Sequence, residues 1–311
     1  MRLEGIHHIS AITGDAPANL DFYTRVLGLR LTAKTVNQDD PSVYHLFYAD
    51  EQGSPGAELT FFEYPGAPRG RAGRGMVHRI VSRVGSPEAL DFWERRLGAE
   101  GVATERADDG ALRFADPEGI GHELAADTAD EPLRAHHPEI PEAHAIGGFV
   151  AVRAYGSPER SGPLLEDVLG AQAVGDSTWE LRGERRGGTI TFDPPPPERA
   201  LQGAGTVHHV AWGTSVAEHP LWDRRMQEAR VGATRVIDRY YFHSIYFREP
   251  SGVLYEIADD GPGFTRDMPL EELGSRVILP SWLEPHRAEV ESRLTPLGDP
   301  RAGWPTPVGG P

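Results

Sequence analysis

The stretch at residues 247–257, "FREPSGVLYEI", has a near twin at residues 114–124, "FADPEGIGHEL". Each opens on an aromatic residue, passes through acid, proline and glycine, and ends on an apolar run that carries a glutamate. Proline, glycine and short acids reverse a chain, so each copy reads as strand, turn, strand. The repeat extends outward from there. "LDFYTRVLG" (20–28) matches "LDFWERRLG" (90–98), with fainter echoes in "GPLLEDVLG" (162–170) and "HPLWDRRMQ" (219–227). All four are amphipathic at helical spacing. Asp15 is placed to cap the first, which Gly28 ends. Ser86 before Pro87 opens the second, and Gly98 is its expected stop.

A strand-like run precedes each helix, at residues 7–13, 78–84, 148–154 and 208–214, and a hairpin pattern follows each. The last hairpin is expected to begin at Tyr240. Four strand–helix–three-strand units therefore lie at 4–65, 76–127, 143–195 and 205–259. Residues 1–127 make an N-terminal half and 143–259 a C-terminal half. Between them, 128–142 is polar and carries three prolines, which marks a linker. Residues 260–311 form a Pro-rich tail with a short helix expected around 285–294.

Composition narrows the chemistry. The 311 residues are 39% hydrophobic and 25% charged, as in a globular protein. The net charge is −16 and no basic stripe is visible, which argues against nucleic acid. No apolar run approaches the ~20 residues that span a bilayer, and the start "MRLEGIHHIS" has no secretory pattern. The chain reads as cytoplasmic, with no membrane partner. It has no cysteine, so any metal is held by His, Asp, Glu or Tyr.

Two His-His pairs occupy equivalent repeat positions: His7–His8 in "GIHHISAI" and His208–His209 in "TVHHVAW". Strand side chains alternate faces, so one histidine of each pair points into a given face. His8 shares its face with Ser10, and His209 with Ala211. A lone histidine in a strand is usually a core residue. Two pairs at matching positions favour metal. His45, His78 and His122 stand alone and read as structural. His136 and His137 read as solvated linker residues.

The segments "GIHHISAITGDAPANLDFYTRVLGLRL", "YHLFYADEQGSPG", "GTVHHVAW" and "DRYYFHSIYFREPSGVLYEIA" resemble the vicinal oxygen chelate family, which includes glyoxalase I, bleomycin-resistance proteins and extradiol dioxygenases. The likeness is closest to the branch that opens hydroquinones and chlorohydroquinones. It implies an α+β fold of four βαβββ modules paired into two cupped mixed sheets, with metal in one pair. It implies His8, His209 and Glu256 as ligands of Fe(II), or of Mn(II), which the same ligands bind. It places Arg239 and Tyr246 beside the substrate, and His208, His7 and Ser10 around the metal. The implied reaction is ring cleavage of a small aromatic diol by O2.

The repeat tests the ligand set. Aligning Gly56 on Gly252 sets Thr60 opposite Glu256, where a four-ligand glyoxalase site needs a carboxylate. Arg79 replaces the second histidine in unit two, and unit three has none, so those units read as a metal-free pair. Two other functions fit the resemblance: a glyoxalase-type metal isomerase or lyase, and a non-catalytic protein that sequesters quinones or drugs. Assembly into homo-oligomers is left open by the sequence.

Overall fold

A computed structural model describes residues 1–302 and Trp304. The first module comprises β1 (Ile6–Thr13), α1 (Ala16–Asp21), β2 (Arg30–Asn37), β3 (Asp40–Ala49) and β4 (Glu58–Glu63). The second holds β5 (Met76–Val84), α2 (Pro87–Ala99), β6 (Thr104–Arg106), β7 (Leu112–Ala115) and β8 (Gly121–Ala126). The third holds β9 (Phe149–Tyr155), α3 (Pro158–Pro163), β10 (Gln172–Gly175), β11 (Thr178–Arg182) and β12 (Gly187–Asp193). The fourth holds β13 (Thr206–Thr214), α4 (His219–Glu228), β14 (Ile237–Asp238), β15 (His243–Arg248) and β16 (Leu254–Asp259).

The helix signals act as expected. The Asp15 carboxylate accepts from the Ala18 amide, and the Ser86 hydroxyl accepts from the Ala89 amide. Gly28 takes φ +73° after the first helix, a conformation that costs glycine nothing. Gly98 stays inside the last turn of α2, and the left-handed residue is Gly101, also at φ +73°. The turn acids have a clear task. Asp116 accepts the amides of residues 118, 119 and 120, and Glu249 accepts those of Ser251 and Val253. Each carboxylate thus ties its own hairpin loop.

Two eight-stranded sheets result, in the orders β14-β15-β16-β13-β1-β4-β3-β2 and β10-β11-β12-β9-β5-β8-β7-β6. The first joins modules one and four through antiparallel β1 and β13, and the second joins two and three through β5 and β9. Each sheet takes one module from each half of the chain. The core is apolar and aromatic, with Trp93, Trp212, Trp222 and Tyr23 fully buried. The tail runs beside edge strand β2, where the Ile278 amide donates to the Lys34 carbonyl at 2.9 Å. That covers an edge otherwise open to pairing. A short helix, α5 (Arg287–Glu291), follows.

Candidate metal centre

His8 lies on β1, His209 on β13 and Glu256 on β16. The three strands are adjacent, and register sets Ser10 opposite His209 and Ala211 opposite Glu256. The Nε2 atoms of His8 and His209 are 3.2 Å apart. Glu256 Oε2 is 3.1 Å from the first and 2.9 Å from the second. All three side chains are buried, Glu256 completely. Yet neither Glu256 oxygen has a partner in hydrogen-bond geometry. A buried carboxylate without donors costs several kcal/mol. The three atoms lie close enough together that the group could hold a cation. Donors at about 2.1 Å from an octahedral ion stand about 3.0 Å apart, and these separations match.

The second histidine nitrogens explain the pairs. His7 Nε2 donates to the Asp259 carbonyl at 3.1 Å. A carbonyl only accepts, so the neutral His7 ring leaves Nδ1 bare. His8 Nδ1 lies 3.0 Å from that atom and donates to it, which frees His8 Nε2 for a metal. Burial holds His7 neutral. His209 Nδ1 contacts His208 Nδ1 at 2.8 Å in the same way.

Simple strand parity cannot produce this. The register moves from Ile6↔Trp212 to His8↔Ala211, and from Ser10↔His209 to Ala11↔Val207. His7 and His208 are thus the extra residues of two β-bulges. A bulge re-aims its side chain, so both members of the second pair reach the cavity. His208 and His209 line it, whereas His7 stands behind His8. His7 was expected at the cavity; its ring is instead spent on Asp259 and His8.

The other expected residues surround a cavity of about 590 Å³. Ser10, Arg239 and Tyr246 line it. The Arg239 guanidinium sits 5.3 Å from the Tyr246 ring centre and pairs with Asp39 of module one at 3.1 Å. Burial raises the Tyr246 phenol, and the Glu256 charge adds to it. The last hairpin begins at His243 rather than Tyr240, because Tyr240 adopts φ +74°. That strained turn sets Tyr240, Tyr241 and Phe242 on the wall. Phe242 lies 4.9 Å from the His8 ring.

His45 was read as structural but opens on the cavity. Its Nε2 contacts Thr60 Oγ1 at 3.0 Å, and Thr60 contacts Ser10 Oγ at 2.7 Å. Thr60 stands where a fourth ligand would be and serves these two hydrogen bonds. His78 pairs with Asp193, and His122 with the Tyr23 hydroxyl. His137, expected to be solvated, is buried and meets the Trp304 ring edge to face.

The second sheet repeats the frame without the site. Its register slips at the equivalent places, leaving His78 and Val150 as the extra residues. Arg79 stands at the His8 position and Ala151 at that of His209. Glu123 is engaged by Arg113 at 2.7 Å and Arg79 at 3.4 Å.

A family model described as the Glyoxalase/Bleomycin resistance protein/Dioxygenase superfamily matches residues 5–124 and 78–257. The chain belongs to that superfamily. Within it, the chain is 39% identical to "Putative ring-cleaving dioxygenase MhqA" of Bacillus subtilis, over 96% of this chain and 100% of that one. It is 32% identical to "Chlorohydroquinone/hydroquinone 1,2-dioxygenase" of Sphingobium indicum, over 96% of this chain and 97% of the other. A Bacillus subtilis crystal structure of a "putative dioxygenase" superposes with a TM-score of 0.89 at 37% identity, over 95% and 97% of the two chains. Glyoxalase I of Zea mays shares the fold at a TM-score of 0.55 and 17% identity, over 82% of this chain and 92% of that one. Among the described residues, no helix is long and apolar enough to cross a membrane.

Proposed function

We propose that the protein is an Fe(II)-dependent ring-cleaving dioxygenase acting on a hydroquinone or substituted hydroquinone, with His8, His209 and Glu256 as the metal ligands. One observation carries the reading: three donor atoms lie 2.9–3.2 Å apart, and His8 and His209 among them face a largely apolar cavity. Two imidazoles and one carboxylate are the donor set of non-haem iron oxygenases. Iron held there would supply open positions for a diol oxygen and O2, and a route for electrons between them.

The protein's own groups do the rest. Phe47, Phe62 and Phe242 clamp an aromatic ring and keep water out. Arg239 sets a permanent positive charge where a phenolate and reduced oxygen gather negative charge. The Tyr246 phenol, whose pKa is raised, keeps its proton and donates it to an oxygen at the centre. His208, at the rim of the cavity, holds His209 Nδ1 and so keeps the other ring nitrogen of that residue turned to the metal. A para diol cannot chelate through both oxygens, so positioning falls to these walls.

The isomerase alternative is disfavoured by Thr60, whose hydroxyl is committed to Ser10 and His45. Sequestration without chemistry is disfavoured by the intact donor set. The test is oxygen uptake by protein loaded anaerobically with Fe(II). The expected result is one O2 consumed per hydroquinone, with an acyclic product. Inert hydroquinones and inert catechols together would overturn the proposal.

A further inference from the structure

A para diol in contact with O2 is a source of quinone: two-electron oxidation gives the para quinone and hydrogen peroxide. The quinone is an electrophile. A thiolate or a neutral amine adds to a ring carbon, and the ring's π pair moves to a carbonyl oxygen. One proton from the nucleophile and one from that carbon end on the two oxygens, leaving a diol bonded to the protein. Thiol and amine side chains are therefore the groups at risk.

This chain carries almost none of them. It has no cysteine, and of its 31 lysine and arginine residues only Lys34 is a lysine. Lysine is among the commonest residues of soluble proteins, so one in 311 is a marked depletion. The arginines stay protonated and offer no lone pair. Lys34 lies on β2, directly before Thr35 and Val36 of the cavity wall. Burial lowers its ammonium, which puts more of it in the nucleophilic neutral form. Yet it is only 3% exposed, and the tail covers it. Val277 bridges to Lys34 along the strand edge, and the Ile278 amide donates to the Lys34 carbonyl at 2.9 Å. Lys34 Nζ itself donates to the Leu297 carbonyl at 3.2 Å. Arg301 then ties the tail to Glu51 through contacts of 2.6 and 3.0 Å. The other amine, at Met1, pairs with Glu218 at 3.4 Å.

We infer that Lys34 is the chain's one side-chain site of arylation by a para quinone, and that the tail shields it, so that the folded protein withstands the oxidised form of its own ligand. The source of the quinone rests on the proposed diol chemistry. The shield rests on the tail contacts alone.

The experiment is incubation of Mn(II)-loaded protein with excess 1,4-benzoquinone at neutral pH, with and without concentrated urea, followed by peptide mapping by mass spectrometry. The Met1 amine reacts in both arms and reports the probe. In the folded protein Lys34 is expected to be arylated at least about 100-fold more slowly than in urea, since a native domain is open in only a small fraction of molecules. Arg301→Gln frees the end of the tail and is expected to speed the folded-state reaction at least about 3-fold. Protection below 100-fold, adducts on the cavity histidines, a Lys34 that stays unmodified in urea, or a rate unmoved by Arg301→Gln overturns the inference. Each of these outcomes leaves oxygen uptake on hydroquinone, and so the diol reading, untouched. Absent uptake would sink that reading and leave the shielding result standing.

Discussion

A buried carboxylate without a hydrogen-bond donor is the residue-scale fact from which the site follows. Glu256 has that character, and His8 and His209 face it with Nε2 because their Nδ1 atoms are paired with His7 and His208 on the far side of each ring. Outer partners of metal-bound histidines are worth about 10–100-fold in metal affinity. His7→Phe keeps an aromatic ring in place but removes the acceptor for His8 Nδ1. Its dissociation constant for Mn(II) is expected to rise within that range, with the far-ultraviolet circular dichroism unchanged. An affinity within 2-fold of the wild-type value would show that His7 is mere packing. His7 and His208 were legible in the sequence as unusual. Their role was not, because alternation puts neighbours on opposite faces and a bulge is invisible in one sequence.

At the element scale, the two bulges belong to the fold. They recur at His78 and Val150 in the second sheet, where Arg79 and Ala151 follow them and Glu123 bonds arginines instead. The repeat, its helices and most of its hairpins were readable because caps, glycines and turn acids act locally. The extra turn at Tyr240 was not readable, since a left-handed tyrosine has no sequence signature. Nor was the cavity role of His45, which depends on Thr60 from another strand. Gly5 shows how closely the sheets meet: it has φ +76°, and a Cβ there would lie 2.4 Å from the Gly187 carbonyl oxygen. Left-handed strain alone costs about 1–3 kcal/mol, so Gly5→Ala is expected to lower Tm by at least about 3 °C. An unchanged Tm would refute that contact. His122 gives a pH signature. Burial lowers its pKa to about 3, while an unfolded histidine titrates near 6.5. Between those values the unfolded chain holds the extra proton, so stability falls as pH falls, by up to about 1.4 kcal/mol per unit. Asp116, raised to about 6 by burial, works in the opposite sense and is common to both proteins compared. His122→Gln is expected to lose about 2 kcal/mol less than the wild type between pH 7.5 and 4.5 in urea unfolding. Parallel losses would contradict this.

For the whole molecule, one chain builds the same cup twice and loads only one with donors. The cup with donors is also the one roofed by the β2–β3 hairpin and by Pro280 of the tail. Phe264, Met268, Leu273 and Ile278 of the tail pack in one cluster with Phe47 and Tyr241. Burying four such side chains is worth about 6–12 kcal/mol, close to the whole stability of a typical domain. A chain ending at Asp260 is therefore expected to aggregate or to bind a hydrophobic dye strongly. A soluble product with the full-length Tm would contradict that role for the tail. Metal stoichiometry tests the central claim most directly, by dialysis against Mn(II) and elemental analysis per chain. One ion per chain is predicted for the wild type and for Glu123→Gln, and none for Glu256→Gln. An ion retained by Glu256→Gln, or two ions bound to the wild type, would contradict the account.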